Sequence, residues 1–328
     1  MDIELYPSLR GSKKNIWRTF LANVGLDTDE SVEQTALVWD DDILIATGSR
    51  QGNLLKCIAV DPARQGEDLL AKVLTTLRQE AFKEGHRHLF LYTKPSNAHL
   101  FSGLLFYPVA QTADVLLMED QKNGIKDYIQ SISPLKHFEN AGAAVVNCDP
   151  FTLGHQYLIE TAAKECEHLY VFVLSEDKGH FPAADRIELV RRGTAHLSNV
   201  TVLPTGPYLI SSATFPTYFL KNRDQAEQVH CQLDVEIFTR YFAPAFSIKC
   251  RYVGTEPLSA LTNQYNEVLK TTLPQHGIGL VEIPRLEKDG TPISASAVRS
   301  ALENGDWATV KSLVPPTTFT YLKPTELT

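Results

Sequence analysis

From Ala141 onward, short apolar runs alternate with amphipathic helical stripes, and that rhythm admits few folds. Runs over 143–147, 169–174, 200–203, 248–253 and 279–283 are followed by helical patterns near 154–163, 185–196, 214–242, 264–273 and from Ser296. Strands that are apolar throughout and separated by helices pack as a parallel sheet covered on both faces. The expectation is a doubly wound, Rossmann-like α/β domain. Ligands of such sheets sit beyond the carboxyl ends of the strands. The first run ends there in Asn147-Cys148-Asp149-Pro150-Phe151-Thr152-Leu153-Gly154-His155, directly before a helix.

The first 120 residues keep a different rhythm. Strand patterns at 35–39, 43–50 and 54–60 follow one another through turns such as Asp40-Asp41-Asp42 and Gly52-Asn53, as antiparallel hairpins do. Leu69, Leu70, Val73, Leu74, Leu77 and Ala81 recur at helical spacing and predict a helix. A strand at 88–93, a short helix at 98–105 and a strand at 115–118 complete an α+β domain. Residues 121–140 are polar and turn-rich and read as a connector. The domains expected are thus 1–120 and 141–328.

Composition narrows the class. With 43% hydrophobic and 21% charged residues the chain reads as globular. A formal charge of −8 argues against a nucleic-acid binder, which would present a basic face. The five cysteines show no CxxC spacing, so neither disulfides nor zinc are expected. His86, Arg87 and His88 fit a turn before a strand better than a metal site, and no metal ligands are predicted. The start, Met1-Asp2-Ile3-Glu4, lacks the features of a signal peptide, and no run approaches the ~20 apolar residues of a membrane helix. A cytoplasmic protein with no membrane association is expected.

The chemistry points to a polyphosphate. A strand, a loop and a helix start supply free backbone N–H groups and the positive end of a helix dipole. Gly154 has no Cβ to hold phosphates away, and His155 adds a donor that can follow charge developing during attack. Far downstream, Ile293-Ser294-Ala295-Ser296-Ala297-Val298-Arg299 offers capping hydroxyls at Ser294 and Ser296 and a guanidinium one turn into a helix. A Gly-His pair alone is usually just a helix start. Joined to the second segment, it reads as half of a nucleoside-triphosphate site.

These two segments resemble the HxGH nucleotidyltransferase superfamily. Thr152-Leu153-Gly154-His155 matches the variant whose first histidine is replaced, and Ile293 to Arg299 matches its ISxTxxR-like signature. Together with Ser175-Glu176-Asp177-Lys178, the segment from Ser211 to Lys221, and Gly254-Thr255-Glu256-Pro257, the chain resembles the citrate lyase ligase family over essentially its whole length. That family places a GNAT-like, acetyltransferase-type domain ahead of the nucleotidyltransferase-like one. The resemblance implies that ATP, with Mg²⁺ and no tightly bound cofactor, activates acetate to acetyl-adenylate and releases pyrophosphate. The acetyl group then passes to the thiol of the CoA-derived prosthetic arm on the acyl-carrier subunit of citrate lyase, activating that enzyme. It further implies nucleotide contacts from Asn147, Thr152, Gly154, His155, Gly254, Ser294, Ser296 and Arg299, with Arg186 a further cationic candidate. His155, Arg299 and Lys178 are the expected catalytic residues.

Two rivals share these motifs. An adenylyl- or cytidylyltransferase acting on a phosphorylated small molecule, such as phosphopantetheine, would want several basic residues for the acceptor phosphate. A regulatory nucleotide-binding protein would have no need of both His155 and Arg299. In the first domain, Ala63-Arg64-Gln65-Gly66-Glu67-Asp68 departs from the Q/R-x-x-G-x-G/A loop of acetyl-CoA-dependent transferases. Ala63 stands in the Gln/Arg place, and Glu67 and Asp68 oppose a pyrophosphate. This domain is therefore expected to dock the CoA-like arm or the carrier subunit, not to transfer acetyl groups.

Overall fold

The computed structural model of the chain describes residues 1–134, 138–177, 179–209, 218, 220, 226–255 and 260–323. It divides into two compact units, Met1–Gly124 with Pro216–Val229, and Ile125–Phe215 with His230–Thr328.

The first unit runs β1 (Asp2–Tyr6), α1 (Gly11–Asn23), β2 (Gln34–Asp40), β3 (Ile43–Gln51), β4 (Leu54–Val60), α2 (Leu69–Lys83), β5 (Phe90–Thr93), α3 (Ala98–Ser102), β6 (Tyr107–Gln111) and β7 (Leu116–Glu119). One sheet joins its strands in the order β1-β2-β3-β4-β5-β7-β6. The predicted stripe of α2 buries Leu69, Val73, Leu74, Leu77 and Ala81 in the core of this unit. Gly48 on β3 makes room for that helix, since a Cβ there would stand 2.5 Å from Val73 Cγ1. Strands β4 and β5 are parallel and pair only at Leu54–Phe90 and Leu55–Leu91. Beyond that point a groove of about 520 Å³ opens, walled by Ile58 to Val60 on one side and Tyr92 and Thr93 on the other. This is the expected α+β arrangement. The elements β1, α1 and β6 were not anticipated. Strand β1 is an edge with no fully buried residue, and α1 buries only Trp17, Phe20 and Leu21, so neither carries a strong apolar pattern.

In the second unit the stretch 121–140, read as a connector, holds α4 (Gly124–Ile132). Its short apolar stripe buries Ile125 and Ile129, and the Tyr128 hydroxyl donates to the Pro204 carbonyl at 2.8 Å. There follow β8 (Ala141–Val146), α5 (Leu153–Glu165), β9 (His168–Val173), α6 (Ala183–Thr194), β10 (Val200–Pro204), α7 (Ala226–Ile237) and α8 (Ala243–Ala245). Then come β11 (Ile248–Gly254), α9 (Ala260–Thr272), β12 (Gly279–Ile283), α10 (Ala295–Glu303), α11 (Trp307–Leu313) and α12 (Pro316–Leu322). Of the helices expected over roughly 214–242, the described residues hold α7, continued by a π-helical turn at Phe238–Phe242, with 214–217, 219 and 221–225 outside the described residues.

All five strands of the second sheet are parallel, in the order β10-β9-β8-β11-β12. The doubly wound reading holds. The chain proceeds from β8 outward to β9 and β10, then returns to the other side of β8 at β11. The loop after β8 therefore leaves the sheet at the switch point where such folds bind ligands.

That loop is pinned from below. Phe151 is fully buried among Ile159, Leu189 and Val190. Gly193 on α6 makes room for its ring, because a Cβ there would lie 2.2 Å from Phe151 Cε1. All five cysteines are free thiols, four of them buried. Among the described residues no helix is long and apolar enough to cross a membrane. Gly193→Ala should cost about 1–3 kcal/mol in urea unfolding, the usual range for overpacking. A loss below about 0.5 kcal/mol, within the scatter of surface substitutions, would show that Phe151 is not held in this way.

Candidate active site

A cavity of about 670 Å³ lies at the carboxyl ends of β8 and β11. Two helix starts reach it. Thr152 caps α5: its hydroxyl accepts from the His155 N–H at 3.3 Å, while the Thr152 N–H donates to His155 Nδ1 at 3.1 Å. The histidine thus fills the place that glutamate takes in a capping box. An Nδ1 that accepts puts the ring proton on Nε2, and this is the donor the ring offers to a ligand. Burial, aided by the charge of Arg285, pushes the imidazole down to about 4. The ring is neutral at pH 7. Ser294 caps α10, its hydroxyl accepting from the Ala297 N–H at 3.2 Å and lying 3.0 Å from the Ser296 hydroxyl.

The two segments meet directly. Arg299 Nη1 donates to the Asp149 carbonyl and stands 3.7 Å from the Asp149 carboxylate. The buried Asp149 carboxylate also accepts from the backbone N–H groups of His180, at 3.1 Å, and Phe181, at 2.9 Å. Gly154 also sits at a close approach that the sequence did not reveal. A Cβ there would stand 3.0 Å from the Ile293 carbonyl oxygen, so its absence lets the start of α5 pack against the segment leading into α10.

Of the expected nucleotide residues, Asn147, Thr152, Gly154, His155, Gly254, Ser294, Ser296 and Arg299 all line this one cavity. Arg186 does not. It is 1% exposed. Its guanidinium donates to the Asn147 carbonyl and to Asn147 Oδ1, both at 2.7 Å, to the Phe181 carbonyl at 3.1 Å, and to the Glu176 carbonyl. Such a cation clamps two strand-end loops together and has little left for a phosphate. Lys178, the stretch 211–217 and residues 256–257 lie outside the described residues.

Two residues went unnoticed in the sequence. Arg285 lines the cavity, its Nε donating to the Thr255 carbonyl at 2.8 Å. Its position just after β12, at another carboxyl end, was the available signal. Asp149 was read only as part of a motif, yet it joins both halves of the site. Among the described residues lining the cavity there is no aspartate or glutamate. Arg285, Arg299 and two open helix starts make this a site for a polyanion. The Cys148 thiol beneath it is pushed up by burial, which leaves it protonated and no nucleophile.

Two outcomes follow from this geometry. Nothing lies within 4 Å of a Cβ built on Gly254, whereas one on Gly154 meets Ile293. Gly254→Ala should leave stability within about 0.5 kcal/mol while weakening nucleotide binding in a calorimetric titration. Gly154→Ala should lower stability by about 1–3 kcal/mol; the opposite pattern would refute both roles. For His155 the folded pKa lies below the unfolded value. As pH falls from about 6.5 to about 4 the unfolded chain takes up the proton first, and stability drops. Urea unfolding between pH 7 and 4.5 should therefore show a smaller pH slope for His155→Gln than for the unmodified chain. Equal slopes would mean that the folded chain does not hold His155 neutral.

Known proteins give this arrangement a context. The profile of the citrate lyase ligase C-terminal domain matches residues 141–322. The chain is 42% identical over 309 residues to the [citrate [pro-3S]-lyase] ligase of Klebsiella pneumoniae, covering 92% of this chain and 90% of that one. It is 39% identical over 311 residues to the ligase of Escherichia coli K12, covering 93% and 88%. Against the Haemophilus influenzae ligase it is 34% identical over 324 residues, covering 96% and 97%. With more than half of its length matched by the family profile and relatives of this identity spanning nearly all of it, the chain belongs to the citrate lyase ligase family.

Proposed function

We propose that this chain is an acid–thiol ligase. It activates acetate with ATP and acetylates the thiol of the CoA-derived arm on the acyl-carrier subunit of citrate lyase, switching that enzyme on. One observation carries the reading within this family. Two capped helix starts, a neutral histidine and three arginines, Arg251, Arg285 and Arg299, line one cavity in which no described residue supplies a carboxylate.

The chemistry follows from that geometry. An acetate oxygen attacks the α-phosphorus of ATP, and the bond to the pyrophosphate oxygen breaks. His155 Nε2–H, the Arg299 guanidinium and the N–H groups opening α5 and α10 bear the charge that develops on the phosphates. Holding acetate and ATP in line supplies much of the remaining acceleration. The arm's thiolate then attacks the acetyl carbonyl of the adenylate, and AMP leaves. Mg²⁺ entering with ATP would neutralise part of the phosphate charge.

Exchange of labelled pyrophosphate into ATP should therefore require acetate and no carrier protein. His155→Ala and Arg299→Ala should each slow that exchange by on the order of 10²–10³, the usual effect of losing one transition-state donor. Exchange that instead demands a phosphorylated acceptor would replace the ligase with an adenylyltransferase.

For the first unit the reading is a docking role for the arm, without acetyl transfer from acetyl-CoA. Its groove between β4 and β5 is walled largely by apolar residues. At its mouth Arg64 is held by Glu67 at 2.6 Å and Asp40 at 2.7 Å, and Asp68 precedes α2 in a left-handed conformation, φ 56°, without a side-chain cap. That loop suits a free pyrophosphate poorly. An arm tethered to a protein gains effective concentration from its tether and tolerates a weaker site. Cutting the chain near residue 125 would not isolate this unit, since the Tyr218 carbonyl accepts from the Asp27 N–H at 2.9 Å and Tyr218 helps wall the groove. The test is Val60→Trp in the full chain, which fills the groove. Pyrophosphate exchange should persist while acetylation of the carrier falls at least about tenfold, the scale of about 1.4 kcal/mol of lost binding. Unchanged carrier acetylation, or acetyl transfer from acetyl-CoA to an amine, would contradict the docking role.

A further inference from the structure

One polar group on the cavity wall takes no part in the chemistry above. Asn266 on α9 is 2% exposed, yet it contributes to the wall of the ATP cavity. Its amide nitrogen reaches two acceptors, the Gly254 carbonyl at 3.1 Å and Glu282 Oε1 at 3.2 Å. Both of its protons are thereby engaged. Turning the amide over would set its oxygen against those same two acceptors, so the partners determine its orientation. Lys270 Nζ holds the other oxygen of Glu282 at 2.9 Å and steadies that partner in turn.

Oδ1 is the atom left over. Among the described residues none donates to it, and it is not one of the polar atoms sealed in the interior. A buried amide oxygen held toward a cavity without a donor is an acceptor waiting for a ligand N–H. Its place in the fold says which one. The partners of Asn266 stand at the ends of β11 and β12, while His155 follows β8, the neighbour of β11 on the other side. With strands about 4.8 Å apart, Asn266 is set to one side of the phosphate donors, toward Gly254, the side on which a base can extend from them.

We propose that Asn266 Oδ1 accepts from the exocyclic 6-amino group of adenine and is the residue by which this site selects ATP over a purine nucleotide carrying a carbonyl there. The proposal rests on the ATP-dependent ligase reading. With hypoxanthine or guanine, the base oxygen would meet Oδ1 acceptor to acceptor, and neither would be satisfied.

ATP and ITP differ at this position by the amino group against a carbonyl, so the pair isolates the contact. In acetate-dependent pyrophosphate exchange, kcat/KM for ITP should be on the order of 10²-fold below that for ATP. Asn266→Ala should raise the KM for ATP about tenfold or more with kcat largely kept, and change ITP little, so that the preference collapses. A merely structural role would lower both nucleotides alike and leave their ratio intact. Because Asn266 also ties α9 to β11 and β12, thermal unfolding of the variant accompanies the assay. The ratio in the unmodified chain stands as a test even if the variant fails to fold. Use of ITP within about threefold of ATP by the unmodified chain, or a variant that keeps its preference, would overturn the proposal. Exchange with neither nucleotide would overturn the ligase reading and this proposal with it.

Discussion

The contact between Asp149 and Arg299 is the constraint on which the candidate site depends. It joins residues 150 positions apart, and through it the loop leaving β8 and the second turn of α10 become one surface. A carboxylate as buried as that of Asp149 is costly unless it is paired and hydrogen-bonded. Here it is met by two backbone N–H groups and the guanidinium. Gly154 completes the junction by letting α5 approach the Ile293 carbonyl. The positive ends of both helices then open on the same space.

Charge within the second unit is divided by burial. Arg186 is enclosed by carbonyl oxygens and holds loops. Arg299 spends one nitrogen on Asp149 and remains partly exposed at the cavity wall. His155 is kept neutral by desolvation, so its Nε2–H can donate without losing or gaining a proton near pH 7. In the sequence all three were candidates for the same phosphates. Their surroundings differ: Arg186 holds two loops, Arg299 bridges to Asp149, and His155 keeps an uncharged ring at the cavity.

The fold was largely legible because its signals are local. Continuous apolar strands separated by helical stripes announce a buried parallel sheet, and Thr152 and Ser294 announce the helix starts that the site uses. What stayed hidden is set by distant contacts. The close approach of Gly154 to Ile293, the burial of Arg186 and the convergence of Arg285 on the cavity each depend on elements far apart in the chain. The same holds for residues 216–229, which belong with the first unit although they lie deep in the sequence of the second. Helix α4 escaped notice for another reason: its nine residues carry too short a stripe to outweigh the turn residues around it.

The most direct test of this account is a double-mutant cycle on Asp149→Asn and Arg299→Met, read as the dissociation constant for ATP. If the ion pair between Arg299 and the Asp149 carboxylate, 3.7 Å apart, helps assemble the site, the two effects will be strongly non-additive, with a coupling of about 1–3 kcal/mol. Effects that simply add, within about 0.5 kcal/mol, would contradict it and leave the two segments as independent contributors.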